Sequence, residues 1–334
     1  MTSRRGLEFG LSIWLDNAVR EVAPLARFAE QAGFTDLWVP DHYFLRDSYV
    51  AQALMALETE RIRFGTAVAA AQLRHPALLA SSTATVDELS GGRAILGIGP
   101  GGHEFAAQFD MRPKSPLTLV REAVAVARGL FRGGSDLEGT IFTTRGARLG
   151  WPTGDIPVYL AARGTKMLEL AGEVADGVLI HGITVPYVRH VKELVARGAE
   201  RAGRSPDDCE IAVILDAEVN PDEAAAIDAM RDRVKVMAGG KYSDDLIPLY
   251  ELDPGDVAAL RAALNEGRPD AHRFVTDAMV RAFALAGGHS TLVRRCRELH
   301  DAGIDRIIVF SNGTVDHTRS QIDGFAPIIK EVTQ

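Results

Sequence analysis

The stretch LWVPDHYF, residues 37–44, ends an apolar run on a carboxylate beside an imidazole, Asp41 and His42. Such a pair can hold the polar edge of a ring and move a proton, because histidine titrates near neutrality. A helix cap or a surface pair would use the same two residues. A second stretch, AILGIGPGGHEF at 94–105, leads from aliphatic residues through Gly97, Gly99, Pro100, Gly101 and Gly102 into His103 and Glu104. Glycines here permit positive φ and let main-chain N–H groups approach a flat or anionic ligand. A tight turn between strand and helix would need them too. In the third stretch, PVYLAARGTKMLEL from 157, Ala161 and Ala162 leave room for a ligand before RGTKM opens a helix. The free N–H groups and dipole of a helix start form an anion site, to which Arg163 and Lys166 add charge. An ordinary connection with basic surface residues is the plainer alternative.

In GTAVAAAQLRHP, residues 65–76, the alanines at 69–71 offer a shallow floor for a planar ring, Ala70 at its centre. His75 precedes Pro76 and reads as a helix-start residue. The sequence holds no HExxH or CxxC pattern to support a metal, no GxSxG elbow and no GxxxxGK[ST] loop.

These residues need a scaffold that brings strand ends together. Short aliphatic runs alternate with segments of helical period, the pattern of βα units and a parallel sheet. Strands are expected at Leu7 to Leu15, Asp36 to Pro40, Ile62 to Val68, Ala94 to Gly99, Ile156 to Ala162, Gly177 to His181, Glu210 to Val219 and Arg306 to Phe310. Helices are expected between them, as at Asn17 to Ala32 and Pro76 to Leu89. The count favours an α/β fold of the (β/α)8 TIM-barrel type, although a doubly wound open sheet shares the local pattern. All three stretches then lie at the C-terminal face of the strands, where barrel enzymes keep their sites. Residues 133–155 read as a loop with a hairpin. Residues 239–288 are too many for one connection after strand seven, and predict an inserted helical lid within a single domain of residues 1–334. Tyr242, Tyr250 and Phe274 are candidate pocket walls in that insertion, or members of its own core.

The 334-residue chain carries a formal charge of −8, which argues against a nucleic-acid surface. Two distant cysteines, Cys209 and Cys296, fit reduced thiols rather than a disulfide framework. The apolar start of the chain is cut by Glu8, Gly10, Ser12 and Asp16, so it does not read as a signal peptide, and no window reaches the roughly 20 apolar residues of a membrane span. A cytoplasmic location is expected.

Taken together, DLWVPDH, the segment from GTAV through RHPALLASSTATVDELSGGRAILGIGPGG, and PVYLAARGTKMLELAGEVADGVLI resemble the luciferase-like superfamily. Within it the resemblance is to the group using the deazaflavin coenzyme F420, in particular methylenetetrahydromethanopterin reductase-like enzymes. It covers nearly all of residues 7–182, with a weaker tail beyond. It implies a (β/α)8 barrel with an insertion over the site, and a homodimer. Carried over, Asp41 binds the coenzyme near its ring, and His42 lies at the reactive face as a proton donor. A non-prolyl cis peptide is implied at Ala67–Val68, behind the ring. Gly99, Pro100 and Gly101 offer main-chain contacts; Ala162, Arg163, Gly164, Lys166 and Met167 match the phosphate-binding helix start, and His181 ends strand six. Related sugar-phosphate dehydrogenases carry a glutamate where this chain has Gly102; Glu104 stands two residues on as the second candidate proton donor. The implied activity is hydride transfer between C5 of F420 and an electrophilic carbon of a small organic substrate. An FMN-dependent luciferase-like monooxygenase is the alternative, and a phosphate-binding barrel without redox chemistry a third reading.

Overall fold

Each of the aliphatic runs becomes a parallel strand, and the strands hydrogen-bond in a closed circuit. In the computed structural model, which describes residues 5–42, 44–101, 114–240, 242 and 244–334, the barrel strands are Glu8–Ile13, Asp36–Val39, Arg63–Thr66, Ala94–Gly99, Val158–Ala161, Gly177–Ile180, Glu210–Val219 and Arg306–Ser311. They are called the first to eighth strands below. Successive strands pair in order, Glu210 stands opposite Gly177, and the eighth strand returns to the first with Arg306 opposite Glu8. That closure separates the (β/α)8 barrel from the open sheet, which sequence periodicity alone leaves possible.

Side chains alternate across each strand, so one set faces the helices and the other fills the barrel. Leu37, Val39, Leu96, Ile98, Val158 and Leu160 pack in the outer core and are fully buried. Inside, Trp38, Ile95, Tyr159, Leu179, Ala212 and Ile308 form a separate apolar layer. Gly65 and Gly177 make room for it: a Cβ there would stand 2.5 Å from the Trp38 ring and 2.2 Å from the Tyr159 ring. Below this layer, at the N-terminal end, the barrel is stopped by charge. Arg306 and Asp36 are 1% and 0% exposed and paired with each other, and Arg306 also reaches Glu8 and Glu210. Trp38 Nε1 donates to Asp36, and the Tyr159 hydroxyl to Glu210. With the floor closed by charge and the middle by rings, open space lies towards the C-terminal rim.

The connection after the fourth-strand helix contains the expected hairpin, Ser135–Glu138 against Thr143–Ala147. The Glu122 carboxylate accepts the N–H groups of Thr140, Ile141 and Phe142 at 2.7, 2.8 and 2.8 Å and holds its turn. After the seventh strand come helices Glu223–Ala238, Pro254–Asn265 and Asp277–Phe283. Strand Ala284–Gly287 then adds to the sheet, a feature that the reading of 239–288 as a helical insertion did not include. Its cause is the length of the seventh strand, 10 residues against 4 to 6 in the others. Asp216 to Val219 overhang the barrel, and Ala284 to Gly287 satisfy their backbone groups in parallel register.

Candidate active site

A cavity of about 490 Å³ opens at the C-terminal ends of the strands. Ser12 and Trp14 come from the first strand and its extension, Pro40 from the second, Ala67 and Val68 from the third, Ala161 from the fifth, Leu179 and His181 from the sixth. Ile214 and Asp216 come from the seventh strand, Phe310 and Asn312 from the eighth, and Arg233, Val236 and Met237 from the helix Glu223–Ala238. One wall is small and apolar, made by Ala67, Val68 and Ala161; the opposite wall carries Ser12, Asp216, Arg233 and Asn312.

The apolar wall rests on the glycine-rich fourth strand. The Ala67–Val68 peptide is cis, at the position the resemblance implied. Thr66 Oγ1 donates to the Gly97 carbonyl at 2.7 Å and accepts the Gly97 N–H at 3.0 Å, fixing the bulge to its neighbour. A Cβ on Gly97 would lie 1.8 Å from the Thr66 carbonyl oxygen, and one on Gly99 2.8 Å from Val68 Cγ2. Gly101 has φ +85°, with Gln72 and Ala70 against it. These glycines therefore admit the protein's own bulge, and through it they shape the cavity.

The other sequence-predicted residues fall at different depths. Ala70 is 8% exposed and sits beneath Gly101; Ala69 and Ala71 are buried with it, so the floor lies at Ala67, Val68 and Ala161 instead of the alanine run. Asp41 is held by Arg74, Nε to Oδ2 at 3.0 Å and Nη2 to Oδ1 at 3.1 Å, and by Ser48 Oγ at 2.8 Å. It ties the second-strand loop to the loop before the helix Pro76–Ser90. His42 packs edge-on against Trp14, ring centres 5.1 Å apart. The Phe44 N–H donates to His42 Nδ1 at 3.3 Å, which puts the ring proton of the neutral form on Nε2. Burial lowers the His42 pKa, and the Asp41 charge opposes this. His75 caps its helix, Nδ1 accepting from the Ala77 N–H at 3.2 Å. Ala162 is buried beside the helix Thr165–Val174, whose first residues Gly164, Thr165 and Lys166 are exposed and lack a side-chain cap. Arg163 leans across the rim to Met237 Sδ at 3.0 Å, and Met167 is half-buried against the core. Pro100 and Gly101 are half-exposed at the end of the fourth strand. Gly102, His103 and Glu104 lie outside the described residues. Tyr242 and Tyr250 pack on each other at 5.2 Å in the insertion's core, and Arg268 covers Phe274; none of the three lines the cavity.

His181 is the predicted residue placed most directly in the cavity wall. Its Nδ1 lies 3.0 Å from the Ile214 carbonyl, so Nδ1 carries the proton and Nε2 is an acceptor. Burial and the nearby Arg163 charge lower its pKa to about 4. An NMR titration of ring-labelled protein is expected to show a neutral, Nδ1-protonated His181 from pH 8 down to about 5. Between the ordinary value of 6.5 and about 4 only the unfolded chain takes up this proton, so stability falls as pH drops through that window. His181→Asn should flatten that part of the curve.

Sequence reasoning missed the polar wall. Arg233 Nη1 donates to Asn312 Oδ1 at 2.6 Å and faces Asp216 Oδ1 at 3.5 Å, while Nη2 meets His317 Nε2 at 3.1 Å. Ser12 Oγ is buried without a hydrogen-bond partner among the described residues. One usable signal was present: inward positions recur every second residue, and Ala212, Ile214, Asp216 put a carboxylate at the rim.

A closed (β/α)8 barrel with a cis-peptide bulge under a rim cavity defines the class. The chain belongs to the luciferase-like monooxygenase family, which matches residues 5–306. It is similar to the 5,10-methylenetetrahydromethanopterin reductase of Methanolobus tindarius, 34% identical over 308 residues, 91% of this chain and 94% of the relative. It also resembles the F420-dependent glucose-6-phosphate dehydrogenase of Rhodococcus erythropolis, 33% identical over 231 residues, 64% of this chain and 68% of that one. Among solved structures, the coenzyme F420-dependent tetrahydromethanopterin reductase from Methanopyrus kandleri superposes with a TM-score of 0.90 at 27% identity, covering 98% of this chain and 100% of that one. The resemblance read from the motifs thus extends through the C-terminal half.

Proposed function

We infer that this chain is a coenzyme F420-dependent oxidoreductase. The observation that carries the reading is the pairing of long reductase-like similarity with a rim cavity whose one wall is Ala67, Val68 and Ala161. Those small side chains fit the face of a tricyclic ring. The uncapped, exposed start of the helix at Gly164 to Lys166, with Arg163 beside it, fits an anionic tail. When bound, the deazaflavin supplies a carbon, C5, that gives or takes a hydride.

The chain's own residues do the rest. Val68 and Ala161 set which ring face is covered, and His181 Nε2 accepts a hydrogen bond without carrying charge. Gly99, Pro100 and Gly101 bring main chain to the ring's edge, and Met167 backs the tail site. Asp41, clamped by Arg74, fixes the loop that carries His42 against Trp14. The substrate is a small organic molecule with an electrophilic carbon: an imine, iminium, carbonyl or activated alkene. Titration of the apoprotein with F420 and with FMN tests the cofactor. Micromolar F420 binding with no comparable FMN binding is expected, and the reverse order favours a flavin monooxygenase.

We further infer a homodimer. Helix Ser48–Leu57 exposes Val50, Leu54 and Leu57 at 56%, 37% and 69%, and the adjacent helix Pro76–Ser90 exposes Leu78 at 61%. Apolar side chains gathered on neighbouring helices mark an interaction surface. Sedimentation should give twice the chain mass for the parent and the single mass for Leu54→Asp/Leu57→Asp. A parent that sediments as one chain contradicts it. Among the described residues no helix is long and apolar enough to cross a membrane. Cys209 and Cys296 are both free and buried, which fits the reducing cytoplasm proposed for it.

A further inference from the structure

The proton that accompanies hydride transfer needs a donor inside the cavity, and the polar wall holds one that the motifs did not suggest. We propose that Asp216 is the carboxyl group that gives this proton in reduction, or takes it in oxidation, with Arg233 as its positioning residue. The proposal deepens the oxidoreductase reading and rests on it.

The geometry is specific. Asp216 stands two residues beyond Ile214 on the overhanging seventh strand, lines the cavity, and has a side chain only 19% exposed. Its sole hydrogen-bond partner among the described residues is Arg233 Nη1 on Oδ1, at the long distance of 3.5 Å. Oδ2 therefore remains available to a substrate. Arg233 cannot close fully onto the carboxyl, because Asn312 at 2.6 Å and His317 at 3.1 Å hold the two ends of its guanidinium. The cation is thus near enough to stabilise a carboxylate formed in the reaction. The titratable groups around the pair are His317 on the C-terminal helix, which meets Arg233 and is itself near Glu218, and His181 of the sixth strand, which lines the same cavity. Burial raises the Asp216 pKa and Arg233 partly opposes this. Burial and the Arg233 charge lower the His317 pKa, and Glu218 opposes them.

The step balances as follows. A carbonyl or imine carbon accepts the hydride, with its two electrons, from a reduced deazaflavin, which is oxidised. The π pair of the C=O or C=N bond moves to the heteroatom, which takes the proton from Asp216 Oδ2. The carboxylate left behind faces Arg233. An N,N-dialkyl iminium ion becomes a tertiary amine on hydride addition alone and needs no proton. The two substrate classes therefore separate a proton donor from a residue that merely shapes the cavity.

The test uses the full-length protein and the variants Asp216→Asn and Arg233→Met. Reduction of cyclohexanone and of a preformed N,N-dialkyl iminium salt by F420H2 is followed beside F420 affinity. For Asp216→Asn, an unchanged F420 Kd, a loss of at least about a hundredfold on the ketone and near-parental reduction of the iminium salt are expected. In parallel, 13C-carboxyl NMR of the apoprotein, which requires no substrate, should show, beside Asp87, whose pKa burial also raises, the Asp216 signal titrating above the ordinary range. That signal should vanish in Asp216→Asn and move higher in Arg233→Met. Equal losses on both substrates, no loss on the ketone, or an Asp216 carboxylate ionised down to pH 4 would overturn the proposal. Failure of the parent to bind F420 would bring down the cofactor reading as well, and so is distinguishable from failure of Asp216 alone.

Discussion

Arg306→Met is expected to lower folding stability by about 3–5 kcal/mol, because it leaves a buried carboxylate without its cation. Asp36 is fully buried beneath the Trp38 layer, and Glu8 and Glu210 share the same guanidinium. Burial by itself would lower the Arg306 pKa, but the surrounding acidic groups outweigh it and hold the charge in place. In the variant the orphaned carboxyl would bind a proton more readily folded than unfolded. The deficit should therefore narrow as pH falls, the direction set by excess proton uptake in the native state. Adding Asp36→Leu should recover most of the loss, since a well-packed apolar pair can match a buried ion pair. Urea unfolding at pH 5 and 8 measures both effects. A single variant as stable as the parent would show that the barrel floor does not depend on this charge network.

Ala161→Phe is expected to weaken F420 binding at least about a hundredfold, roughly 2.7 kcal/mol, while leaving the barrel folded. Ala161 is half-buried in the cavity wall, close to where a Gly99 Cβ would stand, so a phenylalanine ring has nowhere to go except into the space assigned to the coenzyme. The side chain enters an existing hollow, so the overpacking cost to folding stays small. Equilibrium titration with F420, beside a thermal melt, checks both parts. Unchanged affinity would place the ring elsewhere.

The barrel was legible in the sequence because its strands are aliphatic runs with turn residues at both ends. Glu210–Val219 and Ala94–Gly99 were read to the residue. Strand ends were read too long where apolar residues continue the run beyond the strand, as at Leu7 to Leu15 against Glu8–Ile13, where Leu7, Trp14 and Leu15 extend it. Ala284–Gly287 was missed because four residues are too few to show a periodicity; its pairing is dictated by the overhang of a strand far away in sequence. The site divided in the same way. Residues at strand ends with motif-like neighbours, Ala67, Val68 and His181, were found and do line the cavity. Ser12, Asp216, Arg233 and Asn312 were not, since they meet only when the first, seventh and eighth strands close the circle. Asp41 was read as a ligand-binding carboxylate, and the structure shows its oxygens occupied by Arg74 and Ser48. Local sequence reveals a carboxylate at a strand end, whereas its partner arrives from a loop 33 residues away.

A crystal structure of the protein with F420 bound tests the central claim most directly. The account predicts the deazaflavin ring against Ala67, Val68 and Ala161 with His181 at its edge, and the phosphate at the helix start between Gly164 and Met167. A ring found in the hollow outside the barrel that Thr184, Glu223 and Arg294 line, or one lying across the Asp216 wall with the bulge uncovered, would contradict it.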